Sequence, residues 1–297
     1  MRGFSFLSFG SVAILAACIL NTVVAAGFSY ATRIEPSLSP LSGIFIRVLA
    51  GASCVFLPMV WGAEPARLHT WREDLALWLW GLFGVLTVGS YFFAVTMVGA
   101  GTATLLNAGS GVFIVALAPL FLRRSSTRQQ WLGVLGSVVG LSLLVSARPI
   151  ELHSGLGLLL GTLSGLFGGI AYLFVARSGA RHSPEKIALH WTITNVAVFG
   201  IILALVPAQW PQSVRVWILI VAAGLLAAWA KYLTAIAYQR SPAAHIACLS
   251  YLGPALSVLL DLWLFHIHFP QTAVAGIILI LVFGIFIPLR SGSWTKC

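Results

Sequence analysis

Charge is the feature this chain has least of. Only 8% of its 297 residues are charged and seven are acidic, whereas a soluble domain carries about a quarter charged residues. A surface so poor in charge excludes water as the solvent for most of the chain. Cysteine is scarce too: Cys18, Cys54 and Cys248 fall in apolar stretches and Cys297 is the last residue. No pair sits where an oxidising compartment would link it, so no disulfide is expected. Catalytic signatures are missing. There is no HExxH, GxSxG, Walker loop, aspartate pair of the prenyl-transfer kind or Cys/His cluster at zinc spacing, so no cofactor and no enzymatic activity are expected. His266 and His268, one residue apart at a predicted helix end, read as a solvated loop rather than a metal site.

What the chain does have is long apolar runs, with 59% hydrophobic residues. A helix needs roughly 20 apolar residues to cross a bilayer. Ten such runs lie near 9 to 27, 42 to 62, 75 to 97, 101 to 122, 130 to 147, 155 to 176, 187 to 206, 215 to 238, 243 to 265 and 271 to 289. They are continuous rather than short and alternating, which excludes a membrane β-barrel. The first run could pass for a secretory signal, with VVAAG as a cleavage site; its counterpart in the second half of the chain argues for a span. The formal charge of +10 raises the question of a nucleic-acid partner, which the placement of the basic residues answers. Arg2, Arg67, Arg72, Arg123, Arg124 and most of the others fall in loops on one side, and Arg33, Arg148 and Arg215 on the other. By the positive-inside rule both termini are cytoplasmic, and no nucleic acid is called for.

Two stretches read alike, SYFFAVTMVGAGTATLLNAGSG from Ser90 and KYLTAIAYQRSPAAHIACLSYLGP from Lys231. Tyr91 aligns with Tyr232, Ala94 with Ala235, Ala103 with Ala244 and, after a short gap, Gly111 with Pro254. The pairs fall on predicted helices three and four of one half and eight and nine of the other. Each half, 1–148 and 149–297, then holds five helices, and an odd number makes the second copy enter from the opposite face. The expected fold is an all-α polytopic membrane protein of ten transmembrane helices in two inverted five-helix repeats. Many transporters place their substrate between such halves. Gly157, Gly161, Gly165 and Gly169 recur every fourth residue, a face that lets helix backbones approach closely.

The sequence resembles the drug/metabolite transporter superfamily, specifically its bacterial EamA-type members of ten helices. The residues that carry the resemblance are GIFIRVLAG at Gly43 to Gly51, GAGTATLLNAGSGVFIVALAP, QQWLGVLGSVVG and SPAAHIACLSYLGPALSVLL. Members commonly end the fourth and ninth helices with Gly-Glu, where this chain has Arg123-Arg124 and His266-Ile267, so no role carries over from those glutamates. The resemblance implies a multi-pass protein of the bacterial inner membrane, a monomer or weak dimer. It further implies export of small polar metabolites such as amino acids by alternating access. The partners expected are a small-molecule substrate and the lipid bilayer. An intramembrane lipid-modifying enzyme and a channel are the alternatives.

Polar residues at membrane depth are functional candidates by default. At about 1.5 Å per residue, Asn21, Arg47, Tyr91, Asn107 and Asp261 lie toward the outer ends of their helices. Lys231, Ser250 and Tyr251 lie deeper, and His190 and His245 nearer the cytoplasm. Lys231 sits on the order of 10 Å below Asp261, too far for a pair. Pro254 removes a backbone donor, so the Ser250 carbonyl loses its helical partner; a kink or a substrate ligand follows. The substrate set expected is Lys231, Tyr251, Ser250, Asn107, Tyr91, Asn21 and Tyr232, with Lys231 for a carboxylate. Asp261 and Arg47 form the expected proton site or outer gate, the alternative for Arg47 being a structural ion pair or snorkelling. Helices one, three, four, six, eight and nine are expected to line the cavity. The deeper tryptophans Trp191, Trp229 and Trp263 are candidates to line a cavity, lipid contact being the better account of any one of them.

Overall fold

The computed structural model describes residues 9–60, 75–123, 126–146, 155–178, 182–253, 255–256, 259–260 and 271–286. Pro254, Asp261, Trp263, His266 and His268 lie outside them. Helices α1 (Phe9–Ile34), α2 (Pro40–Val60), α3 (Leu75–Ala108), α4 (Ser110–Leu122) and α5 (Arg128–Val145) make up the first half. The second has α6 (Gly155–Ser178), α7 (Pro184–Leu205), α8 (Val214–Arg240), α9 (Ala243–Ser250) and α10 (Gln271–Leu279), which continues as a π-helix over Ile280–Phe286. The described residues contain no strand. Six of the described spans are long and apolar enough to cross a membrane.

Local chemistry sets several helix boundaries. Thr127 and Gln130 form a capping box at the start of α5, satisfying two backbone donors reciprocally. The Ser183 side chain caps α7, whose first residue, Pro184, needs no hydrogen-bond acceptor for its nitrogen. Arg123 closes α4 in the left-handed region at φ 53°. Pro119, inside α4, cannot donate to the Val115 carbonyl four residues back; the Ser126 hydroxyl donates to it instead at 2.6 Å.

The helical run over Leu75–Ala108 is unbroken, yet it is not one straight rod. A straight helix would set residues 91 and 104 about 20 Å apart, whereas the Tyr91 and Thr104 hydroxyls lie 3.0 Å from each other. The chain therefore reverses between them. Two spans result, Leu75–Val95 and Ala103–Leu122, close to the expected 75 to 97 and 101 to 122.

The packing is symmetric under exchange of the halves. α1 packs on α8 and α3 on α6; α2 packs on α8 and α7 on α3; α2 meets α7, and α5 meets α10. The crossings match in detail. A Cβ at Gly224 of α8 would collide with the Arg47 carbonyl and Ala50 of α2, and one at Gly81 of α3 would collide with Thr194 and approach the His190 carbonyl of α7. The glycine stripe of α6 does the same work against α3 and α4. A Cβ at Gly161 would meet the Leu106 side chain, and at Gly165 the Leu106 carbonyl. These contacts bring backbones together where no side chain fits.

On one face the α1–α2 and α7–α8 connections are tied to each other. The buried Glu35 carboxylate accepts from the backbone N–H of Gln212 at 2.8 Å and of Ser213 at 3.3 Å. The Gln209 carbonyl accepts from the Ser42 hydroxyl at 2.6 Å and from the Ser39 N–H at 3.3 Å.

Gly224→Val overpacks the α2–α8 crossing and is expected to cost about 1–3 kcal/mol. Thermal unfolding in detergent should show a lowered midpoint. Gly27→Ala, where an added Cβ meets nothing within 4 Å, should leave the midpoint unchanged or raise it.

Candidate functional site

Two adjoining cavities of about 120 and 220 Å3 lie between the halves. They share four wall residues, Arg47 of α2, Val88 of α3, Trp191 of α7 and Lys231 of α8. Asn21 walls the smaller cavity; Tyr91 and Asn107 wall the larger, with Trp80, Phe92 and Tyr172. No carboxylate stands in either wall among the described residues. Nor does any group of three metal-ligating side chains converge among them.

The glycine crossings position the cations. Gly224 lets α8 touch the α2 backbone at Arg47 itself, and Gly51 meets the Gly224 carbonyl one turn further on. On α3, Gly84 leaves the space that the Trp191 indole fills. The half-buried Lys231 ammonium lies 5.2 Å from the Trp191 ring centroid and 5.9 Å from that of Tyr172. Such contacts hold a cation by the ring quadrupole while leaving its hydrogens able to donate. Tyr172 is backed by Tyr238, stacked at 4.6 Å with an 8° interplanar angle. Asn107 donates from Nδ2 to the Ser164 hydroxyl at 3.1 Å, which fixes the orientation of its amide.

Five expected site residues thus meet around the cavities: Lys231, Arg47, Asn107, Tyr91 and Asn21. Arg47 packs on α8 at Gly224, about 10 Å along the helix from Lys231, and the two residues nevertheless wall the same cavities. Three others do not wall either cavity. Tyr232 donates to Glu185 Oε1 at 2.8 Å. Tyr251 is buried against Gly111, where an added Cβ would lie 2.7 Å from its hydroxyl. The Ser250 hydroxyl donates to the Ala247 carbonyl at 2.7 Å, and the Ser250 carbonyl faces the Cys18 thiol at 3.7 Å. The expected lining also needs correction. The walls come from α1, α2, α3, α4, α6, α7 and α8. Of the expected ninth span, the described helix α9 packs against α1, α4 and α5 and adds no described residue to these walls.

The sequence profile of the EamA-like transporter family matches residues 11–146 and again 155–289. The chain belongs to the EamA-like transporter family. It is a multi-pass protein of the bacterial inner membrane. An uncharacterized transporter of Helicobacter pylori is 22% identical over 263 residues, covering 84% of this chain and 86% of that one. The pseudopaline exporter of Pseudomonas aeruginosa is 24% identical over 246 residues, covering 80% and 82%. A riboflavin transporter of Vibrio cholerae is 24% identical over 185 residues, covering 62% and 57%. One crystal structure of a protein superimposes with a TM-score of 0.80 at 20% identity, over 97% of this chain and 99% of that one, a likeness of fold.

Within this EamA-like chain, residue-by-residue reasoning missed Tyr172 and Trp80. The glycine stripe was the available signal for Tyr172, which follows Gly168 by one helical turn on α6 and shares its wall. It also missed the donors that answer the backbone near Pro254. On α1, Cys18 faces the Ser250 carbonyl, and the Thr22 hydroxyl reaches the Gly253 carbonyl at 3.3 Å and its own Cys18 carbonyl at 2.9 Å. A buried carbonyl stripped of its donor costs about 1–3 kcal/mol. Thr22→Val is therefore expected to lower thermal stability in detergent by about that much, and Thr22→Ser to retain most of it.

Proposed function

We propose that this protein exports small polar metabolites, amino acids and their relatives first, by alternating access between two inverted five-helix halves. In this reading 1–148 and 149–297 rock about the cavities with both termini cytoplasmic. The observation that carries it is the pairing of Arg47 from one half with Lys231 from the other around a shared cavity. A solute bound there touches both halves and can bias their relative position. The exchange-symmetric packing supports two states of similar energy, as inverted repeats do elsewhere.

Lys231 holds a substrate carboxylate, and Asn107 and Asn21 hydrogen-bond its polar groups. Tyr91 and the aromatic walls enclose its apolar part. Asp261 takes a proton or, when no solute is bound, closes an outer gate with Arg47. Ser250, Tyr251 and Tyr232 contribute indirectly, through the backbone and helix contacts next to the cavity. The relatives named as an exporter and as a riboflavin transporter support movement of organic solutes rather than catalysis.

Counterflow in proteoliposomes, screened with amino acids, nucleosides and polyamines with and without a proton gradient, tests the reading. Saturable counterflow of at least one carboxylate-bearing solute is expected. Lys231→Ala should lower kcat/KM by about tenfold or more, the size of one lost charge-assisted contact. Unchanged rate and affinity in that variant would remove Lys231 from the site, and flux that neither saturates nor shows counterflow would make the protein a channel.

A further inference from the structure

Two cations wall both lobes, and no carboxylate among the described residues answers either of them there. A solute with a single carboxylate neutralises one. The low-dielectric surroundings make the second charge costly to leave without an anion. Neither cation is a spectator on the far rim: of the four residues the lobes have in common, Arg47 and Lys231 are the two polar ones. Both therefore stand at the junction, within reach of one occupant that extends into both lobes.

Their chemistry is complementary. Arg47 presents a planar fork that matches an acid group bidentately, and Lys231 presents a point charge. The faces of Trp191 and Tyr172 flank that ammonium and leave its hydrogens for an acceptor. Beyond the junction the smaller lobe is walled largely by alanine and glycine with Asn21 and Thr192, and the larger by aromatic rings together with Thr87, Asn107 and Ser110, which suits a short carbon frame. Among the described residues, a free substrate ammonium would find no carboxylate in these walls.

We infer that the preferred substrate is a small organic dianion, its two acidic groups held by Arg47 and Lys231 across the junction of the lobes. This rests on the transporter reading above and narrows it. The second acidic group is a carboxylate or a phosphate ester, since the two cations accept both.

Matched pairs that differ only in the second acidic group test the inference by counterflow at neutral pH: L-glutamate with L-glutamine, succinate with succinamate, phosphoserine with serine. The diacid of at least one pair is expected to half-saturate at a concentration at least tenfold below its partner; the carboxylate and phosphate pairs separate the two sources of the second charge. Arg47→Gln and Lys231→Gln should each bring that ratio to within about threefold, because each removes one of two anchors. Arg47→Lys and Lys231→Arg keep the charge, should hold the ratio above threefold, and serve where a glutamine variant does not fold. Partners that equal or outdo their diacids overturn the dianion inference while the transporter reading stands. So does a tenfold ratio that survives both charge removals. An absence of counterflow for every solute, including the broader screen, overturns the transporter reading itself.

Discussion

A cation at membrane depth has no bulk water to fall back on, and the arrangement around Arg47 and Lys231 answers that constraint. Arg47 is brought to the seam between the halves by a backbone contact that only glycine permits, at Gly224, and Gly84 leaves room for the Trp191 indole that lies against Lys231. Lys231 then gains aromatic faces from α6 and α7. The seam is consequently polar, partly open and positively charged, while the surrounding helices are closely packed and apolar.

The same constraint governs the backbone. Every proline in a spanning helix releases a carbonyl four residues earlier, and in hydrocarbon that carbonyl must find another donor. Val115 finds the Ser126 hydroxyl. The Ser250 carbonyl, four residues before Pro254, faces the Cys18 thiol. Cys18 and Thr22 sit one turn apart on α1 and so knit the first half to the break after α9. An apparent opening for substrate is thereby a point of attachment between halves.

Much of the fold was legible because hydrocarbon imposes length and composition directly. The reversal between Tyr91 and Thr104 was marked by the small residues of VGAGT, although helical hydrogen bonding runs through it. Depth along a helix could be read from the sequence at a fixed rise per residue, and Asn107 and Tyr91, which it grouped, share one wall. Direction around the helix axis could not be read, since the apolar faces of α3 and α8 show no strong periodicity. Tyr232 follows Lys231 by one residue and thus turns away from it, toward Glu185. Tyr251 turns onto Gly111 for the same reason. Arg47 meets α8 at Gly224, about two turns from Lys231, so depth alone did not show that the two wall the same cavities.

The central claim is that the seam between the halves opens to each side of the membrane in turn. Val88 walls both cavities, and the chain's four cysteines can be replaced to leave a single reporter. With Val88→Cys in that background, a membrane-impermeant thiol reagent is applied to right-side-out and to inside-out vesicles. Alternating access predicts labelling from both sides, with a transported solute changing the balance between them. Labelling from one side only, under every solute condition, would contradict it.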